Sequence, residues 1–501
     1  MKATQVKSIV ILGGGSAGWM TAASLIHAAP KHCKITLVES EEIGTVGVGE
    51  ATIPPIKQFN QRLGIDENAF LKATKGTFKL GIEFVDWTKK GHSYCHPFGQ
   101  FGADFDSLPL YHYWLKAKSE GDHTPLDHYS MAWMLGKENK FDQPLRDPRY
   151  MMSTFDYAYH FDAALYAHFL KERAMKQGVK RKEGIVKQVD VNQQTQTINH
   201  LVLETGEVIT GDFFVDCSGF RGILIEEALY AGYQDWRHYL PVDSAVAVPC
   251  EHGGELSPYT RSTAREAGWQ WRIPLQHRVG NGYVYCSKFI SDESATSTLM
   301  ESLEGRPLAE PKIIRFKTGR RNQMWKGNCV AIGLSAGFLE PLESTALHLI
   351  QTSINRLISL FPVEKNDQLS ATEYNRITLA EYDVLRDFII LHYHATQRDD
   401  SPLWQKVSSM DIPERLAYKL AQFKHKGHIV YCEDELFKRV NWLAVLVGQE
   451  VMPKTYDPIV DMREHVDYKK ILKEIKHAID ESVKRAPTHQ QYIDKFCKSD
   501  R

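Results

Sequence analysis

Residues 8–30 contain no Asp, Glu, Lys or Arg, yet their apolar positions change period within the run. Residues 6–12 (VKSIVIL) read as a buried strand, three glycines follow at Gly13, Gly14 and Gly15, and residues 17–27 read as a helix. Residues 33–39 (CKITLVE) are a second strand, which completes a βαβ unit. The glycines, together with Ser16, His27 and Pro30, make the stretch a poor signal-peptide core or membrane span. Helical spacing returns at residues 161–176, and strand alternation occupies residues 185–191, 198–203 and 213–215. Residues 242–290 are β-rich, with WQWRIP and GYVYCSKFI as sheet segments; residues 329–332 form a short strand and 345–360 a helix. Beyond Glu373 helices dominate, EYDVLRDFIILHY being the clearest and residues 468–484 a basic amphipathic tail. This order predicts an α/β nucleotide-binding domain with a β-sheet insertion and a C-terminal helical domain. The expected boundaries are 1–105 with 150–225 and 310–362 for the first, 226–309 for the insertion, and 363–501 for the helical domain.

At 501 residues, 43% hydrophobic and 25% charged, the chain can bury several cores without disulfides or a structural metal. Sixty-one Lys and Arg against 62 Asp and Glu leave a net charge of −1. That balance argues against nucleic acid or an anionic membrane as the main partner and favours a small molecule. Eight cysteines without a C-x-x-C fit a reducing cytoplasm better than a secreted scaffold. His392 and His394 form H-x-H with no third ligand and are assigned to structure, so no metal is expected.

Gly13, Gly15 and Gly18 spell G-x-G-x-x-G between the first strand and its helix. In that setting the first glycine allows a tight turn, the second admits a pyrophosphate to backbone N–H groups, and the third lets helix meet strand. Glu39, ending the second strand, is placed to accept hydrogen bonds from a ribose 2′-OH and to repel a 2′-phosphate. Residues 215–222 (VDCSGFRG) and 328–341 (NCVAIGLSAGFLEP) supply further strand-then-loop segments, but neither is a second fingerprint. A bound FAD without a separate NAD(P) domain is therefore the economical reading, with reduced flavin arriving from elsewhere.

Five motifs, in order, resemble those of flavin-dependent halogenases of the tryptophan halogenase family, over essentially the whole chain. GGGSAGW (13–19) and GVGEATIP (47–54) look like its flavin motif and flavin-contacting strap. KGTFKLGIEF (75–84) holds Lys79 where the family has its essential lysine. WQWRIP (269–274) matches its W-x-W-x-I-P signature, and EPLESTALHL (340–349) the stretch with its glutamate and halide site. Taken alone, these residues read otherwise: Lys79 as a solvated charge, Trp269 and Trp271 as core, Glu343 as a first-turn acid complementing a helix dipole.

The resemblance implies a glutathione-reductase-like or flavin-monooxygenase-like FAD domain. Gly13, Gly15, Ser16, Ala17, Gly18, Glu39, Gly49, Ala51, Val186, Leu334 and Leu347 are then expected at the cofactor. The implied activity uses reduced FAD, O₂ and chloride or bromide to make hypohalous acid. Lys79 would hold the oxidant by hydrogen bond or as a haloamine, and Glu343 would stabilise the cationic intermediate and take the ring proton. Backbone N–H groups of Thr345 and Ala346 would bind halide. His96, Phe98 and Ser344 would line the substrate pocket, and Trp269 and Trp271 would wall it from the flavin. A flavin reductase is the expected partner, with a homodimer also compatible. Two departures stand out: Ala346 replaces the family's usual glycine, and Lys438 stands in YCEDELFKRVNW (431–442) where an aromatic clamp is expected. The substrate is then an indole or another electron-rich aromatic as readily as tryptophan. The alternative activity is aromatic hydroxylation by an FAD monooxygenase.

Overall fold

The computed structural model describes residues 6–43, 49–105, 107–254, 256–432 and 435–500. The chain forms two compact units: Met1–Lys75, Phe161–Asp243 and Arg315–Asp383 in the first, and Gly76–His160, Ser244–Ile314 and Val384–Arg501 in the second. Among the described residues no helix is long and apolar enough to cross a membrane.

The first unit is built on a six-stranded sheet. Strand β1 (Ser8–Leu12) is central, paired in parallel with β2 (Lys34–Glu39) on one side and with Phe213–Asp216 on the other. A central parallel strand is covered on both faces, which is why its sequence is an apolar run rather than an alternation. Cys329–Ala331 and Lys180–Glu183 extend the sheet outward. Helix α1 (Ser16–Ala28) follows β1, and both Ala163–Lys176 and α2 (Ala346–Ser359) pack against it. The helix expected at 161–176 starts two residues later. Asp162 accepts the N–H groups of Ala164 and Leu165 at 3.0 and 3.2 Å, so it caps the helix from outside, and Phe161 lies in the preceding strand instead.

The second unit holds a seven-stranded sheet in the order Lys312–Arg315, Ser244–Cys250, Val279–Tyr285, Gly268–Pro274, Thr260–Arg265, Gly81–Val85, Ser93–Pro97. Ala295 and Leu299 of helix Asp292–Glu301 pack on Val246, Val248, Tyr283 and Tyr285 of this sheet. The strand expected to reach Ile290 stops at Tyr285, because Phe289 N–H turns back to the Cys286 carbonyl. Two short strands, β3 (Thr77–Lys79) and β4 (Ala158–Asp162), pair antiparallel, β4 reaching this unit with its residues up to His160. The C-terminal helices of the unit end in α3 (His489–Phe496).

The expected three-way division is thereby corrected. Gly81–Val85 pairs in parallel with Thr260–Arg265, drawing residues 76–105 and 150–160 away from the nucleotide-binding domain. The sheet of 244–314 and the helices after Val384 form one unit, while residues 226–243 and 363–383 belong to the first.

Candidate active site

In the first unit the fingerprint closes on itself at two glycines and stays open at the third. Gly13 has φ +118°, and a Cβ there would sit 2.2 Å from the Cys217 carbonyl oxygen. The VDCSGFRG segment therefore runs directly against the fingerprint, and only glycine fits. A Cβ at Gly18 would lie 1.8 Å from the Gly13 oxygen, so the helix can approach the turn only without a side chain. At Gly15, by contrast, a Cβ would meet nothing within 4 Å. Helix α1 starts just beyond it at Ser16 and Ala17, with no side chain capping its N–H groups. Open space in front of unsatisfied N–H donors and a positive helix end is what a pyrophosphate requires, so these residues fit FAD.

The remaining cofactor candidates fall around this cradle or beyond it. Gly333 wedges between α1 and α2: a Cβ there would lie 2.8 Å from Ala17 Cβ and 3.5 Å from Ile350, which fixes the turn bearing Leu334. Leu347 is buried on α2. Gly49 and Ala51 lie on the short strand Gly49–Ala51, whereas Gly47 is outside the described residues. Val186 opens the strand Val186–Asn192 opposite Leu203, two residues after Gly184, whose N–H donates to the Glu39 backbone oxygen at 2.9 Å.

Glu39 is held by three donors: Trp19 Nε1 at 3.2 Å, Lys171 Nζ at 2.9 Å and Arg181 Nε at 2.5 Å. Burial pulls its pKa upward, but the hydrogen bonds from Arg181 and Lys171 outweigh that and hold the carboxyl below its usual range. The carboxylate is thus fixed and ionised before any ribose arrives. Its place also explains the middle glycine, since a Cβ at Gly14 would lie 1.6 Å from Glu39 Oε2. Lys171 and Arg181 carry no motif of their own and sequence reasoning passed them over, while Trp19 closes the GGGSAGW motif without a role at Glu39 having been read from it.

The contrast between the glycines is testable. Gly15 has φ −77°, open to any residue. Gly15→Ala should leave thermal unfolding of the FAD-free protein unchanged but weaken FAD binding roughly tenfold or more, about 1.4 kcal/mol. Gly18→Ala should lower the melting temperature of the FAD-free protein as well. Thermal unfolding and equilibrium flavin titration check both.

Further along the same unit, the turn Pro341–Glu343 leads into α2 through Ser344 and Thr345. Glu343 is fully buried, and Ser344 adopts φ +58°, a strained conformation for a residue with a side chain. Thr345 is the N-cap of α2 and Ala346 its first residue. Their N–H groups belong to the helix end that has no intrahelical carbonyl partners, as an anion site needs.

The second unit carries the lysine. Lys79 ends β3, is fully buried, and its Nζ lies 5.2 Å from the centroid of Phe98, within cation–π range. Thr77, on the same strand face, meets His160 Nδ1 at 3.1 Å and donates to the Pro274 carbonyl at 2.7 Å. The threonine proton being spent on Pro274, His160 must donate from Nδ1, leaving Nε2 to accept from Thr260 Oγ1 at 2.9 Å. Burial, reinforced by the Lys79 charge, pushes the His160 pKa far below its ordinary value and keeps the ring neutral.

His96 and Phe98 are both buried, His96 between Phe388 and Phe437 at centroid distances of 5.8 and 5.9 Å. Its Nε2 is 2.9 Å from Asn441 Nδ2, and Asn441 Oδ1 accepts the Lys438 N–H at 2.7 Å. Glu435 is locked to Lys419 at 2.6 and 2.7 Å, both buried, with Lys419 Nζ 4.3 Å from the Trp442 ring centre. Glu433 and Asp434 are outside the described residues. Trp269 and Trp271 share one strand face 6.3 Å apart, and Trp87 lies 6.3 Å from Trp269. Trp271 fits because its cross-strand neighbour is Gly282, where a Cβ would come within 2.1 Å of the indole. His392 donates from Nδ1 to the Phe388 carbonyl at 2.9 Å, the structural role expected for it.

The structure therefore gathers the flavin, halide and Glu343 candidates in the first unit, and Lys79, His96, Phe98 and the tryptophans in the second. Sequence reasoning missed Phe388, whose only signal was an aromatic on an otherwise ordinary amphipathic helix, whereas Phe437 lies in the YCEDELFKRVNW segment already singled out.

Comparison with known proteins bears on the chain as a whole. The family model for tryptophan halogenase matches residues 8–465. The chain is 40% identical over 440 residues to tryptophan 6-halogenase SttH of Streptomyces toxytricini, covering 83% of each protein. Among solved structures it is similar to Xcc4156, a flavin-dependent halogenase from Xanthomonas campestris, with TM-score 0.95, 42% identity and 99% of each chain covered. It is likewise similar to BrvH, a flavin-dependent halogenase from Brevundimonas sp. BAL3, with TM-score 0.94 and 43% identity over 98% of this chain and 99% of that one.

Proposed function

Since the chain belongs to the tryptophan halogenase family and is a flavin-dependent halogenase using FAD and a halide ion, we propose that it halogenates electron-rich aromatic rings of the neutral indole type. When bound in reduced form, FAD supplies the electrons that convert O₂, halide and a proton to hypohalous acid and water. The Gly15 opening and the α1 N-terminus would hold its pyrophosphate, and Glu39 its ribose. The Thr345 and Ala346 N–H groups would hold the halide. A separate flavin reductase would deliver the reduced cofactor, because the chain has a single dinucleotide fingerprint.

Lys79 Nζ would carry the electrophilic halogen, as a hydrogen-bonded hypohalous acid or as a haloamine formed with loss of water. The ring carbon attacks the halogen, and the halogen–oxygen or halogen–nitrogen bond breaks with its electron pair staying on oxygen or nitrogen. That atom takes up a proton and leaves as water or as the Lys79 amine, and the Glu343 carboxylate takes the ring proton. Trp269 and Trp271 would keep water and substrate from the flavin. His96, Phe98, Phe388 and Phe437 would offer flat apolar faces to an indole.

One observation carries the choice of a neutral indole over free tryptophan. An amino acid brings a carboxylate and an ammonium that must be paired as they leave water. In the segment where such a grip is expected, Glu435 is already neutralised by Lys419 and Asn441 is shared between His96 and the Lys438 N–H. SttH is named for tryptophan, so the expectation separates this chain from that relative. With a reductase, FAD, NADH and one halide, kcat/KM for indole should exceed that for tryptophan. Tryptophan preferred by tenfold, about 1.4 kcal/mol in transition-state binding, would reverse the reading.

A further inference from the structure

Strand β3 lies at the edge of its sheet among the described strands. It pairs with β4 through Thr77↔His160, Phe78↔Tyr159 and Lys79↔Ala158, so the N–H groups on its other side meet no strand. A buried N–H left without an acceptor is costly. Leu80 N–H finds the Pro258 carbonyl at 2.7 Å. Phe78 N–H, one residue before Lys79, donates to Nε2 of His489 at 3.1 Å, a contact across 411 residues of sequence.

His489 is built for that task. It is fully buried, and its Nδ1 lies 2.9 Å from the Leu256 carbonyl, which can only accept. Nδ1 therefore carries the proton and Nε2 presents a lone pair to Phe78. Burial lowers its pKa to about 4, so the ring stays neutral near pH 7. The residue is itself pinned: Thr488 and Gln491 form a capping box at the start of α3, and His489 N–H donates to the Asn139 carbonyl at 2.8 Å. Tyr492, on the same helix, packs edge-on against Phe78 at 5.3 Å, and Phe141 stacks on Phe78 at 4.0 Å.

We propose that His489 is a positioning residue for Lys79, its Nε2 standing in for the strand that β3 lacks. The C-terminal helix thereby sets where the lysine backbone lies and where Nζ meets halogen and ring. The inference rests on the reading of Lys79 as the carrier of the electrophilic halogen. A displacement of reacting groups by about 1 Å can lower a rate by roughly 10²-fold.

The test uses the FAD-loaded enzyme with reductase, bromide and indole, and compares His489→Leu, His489→Gln and Lys79→Ala. His489→Leu should lower the fraction of hypohalous acid captured as bromoindole by roughly tenfold or more, while flavin oxidation and hypohalous acid formation continue at the wild-type rate. Hydrogen exchange at the Phe78 amide should quicken in the same variant. The amide oxygen of His489→Gln can accept the Phe78 N–H, so this variant should recover most of the captured fraction and slow the exchange again. Wild-type capture in the leucine variant, or leucine and glutamine variants failing alike in capture and in hypohalous acid formation, would overturn the proposal. Should the leucine variant not fold, the glutamine variant decides alone: capture and Phe78 exchange near wild type support the role, and loss of both refutes it. A Lys79→Ala enzyme that still brominates indole removes the reading of Lys79 instead, and exchange at Phe78 then still reports whether His489 holds β3.

Discussion

Lys79→Ala should abolish halogenation of any aromatic substrate while hypohalous acid continues to form. The flavin and halide candidates, from Gly13 and Glu39 to Thr345 and Ala346, all belong to the first unit, whereas Lys79 belongs to the second. Removing its side chain deletes the proposed carrier and changes none of the residues proposed to hold flavin and halide. A fully buried lysine is expensive to maintain, and the Phe98 ring 5.2 Å from Nζ supports the charge only in part. Alanine also leaves a cavity, so Lys79→Met, which keeps most of the volume and no nitrogen, is the companion variant. Both should oxidise reduced FAD, release hypohalous acid to a soluble trap, and give no halogenated ring by mass spectrometry. If either variant loses FAD binding, Lys79 supports the fold rather than the chemistry.

The second large effect is expected at Glu343. Glu343→Gln preserves shape and hydrogen-bonding capacity but neither takes a proton nor offsets positive charge on the ring. A positioned acid or base contributes about 10²- to 10⁴-fold, so kcat for halogenated product should fall by that factor. KM should change little, because the group acts on the transition state more than on substrate binding. Hypohalous acid formation should again continue. A variant with wild-type kcat would leave Glu343 as a buried structural acid beside the strained Ser344.

The parts of this protein that were legible in its sequence are those that local spacing dictates. The fingerprint is one: a strand, three glycines at fixed offsets and a helix must form together, and Gly13, Gly15 and Gly18 behave in space as their spacing implies. The W-x-W-x-I-P strand and the turn into α2 were legible for the same reason, each being one continuous segment. What sequence could not supply lies in pairs of residues far apart. His489 meets Phe78 across 411 residues and Asn441 meets His96 across 345, and neither partner carries a periodic signal. Glu435 is paired with Lys419, 16 residues before it, and nothing in the local pattern announces that partner. The domain boundaries failed similarly, because a pairing such as Ile82↔Thr260 assigns β-rich and helical segments to one unit whatever their order along the chain.

Oxidant made with FAD should end as a carbon–halogen bond and not as a hydroxyl. The most direct measurement incubates the enzyme with reductase, FAD, NADH and an indole, with bromide, with chloride and with neither, and reads the products by mass spectrometry. The expected result is a product carrying one bromine or one chlorine, identified by its isotope pattern, and no substituted product when halide is left out. A product heavier by one oxygen atom and formed equally without halide would make the protein a flavin hydroxylase instead.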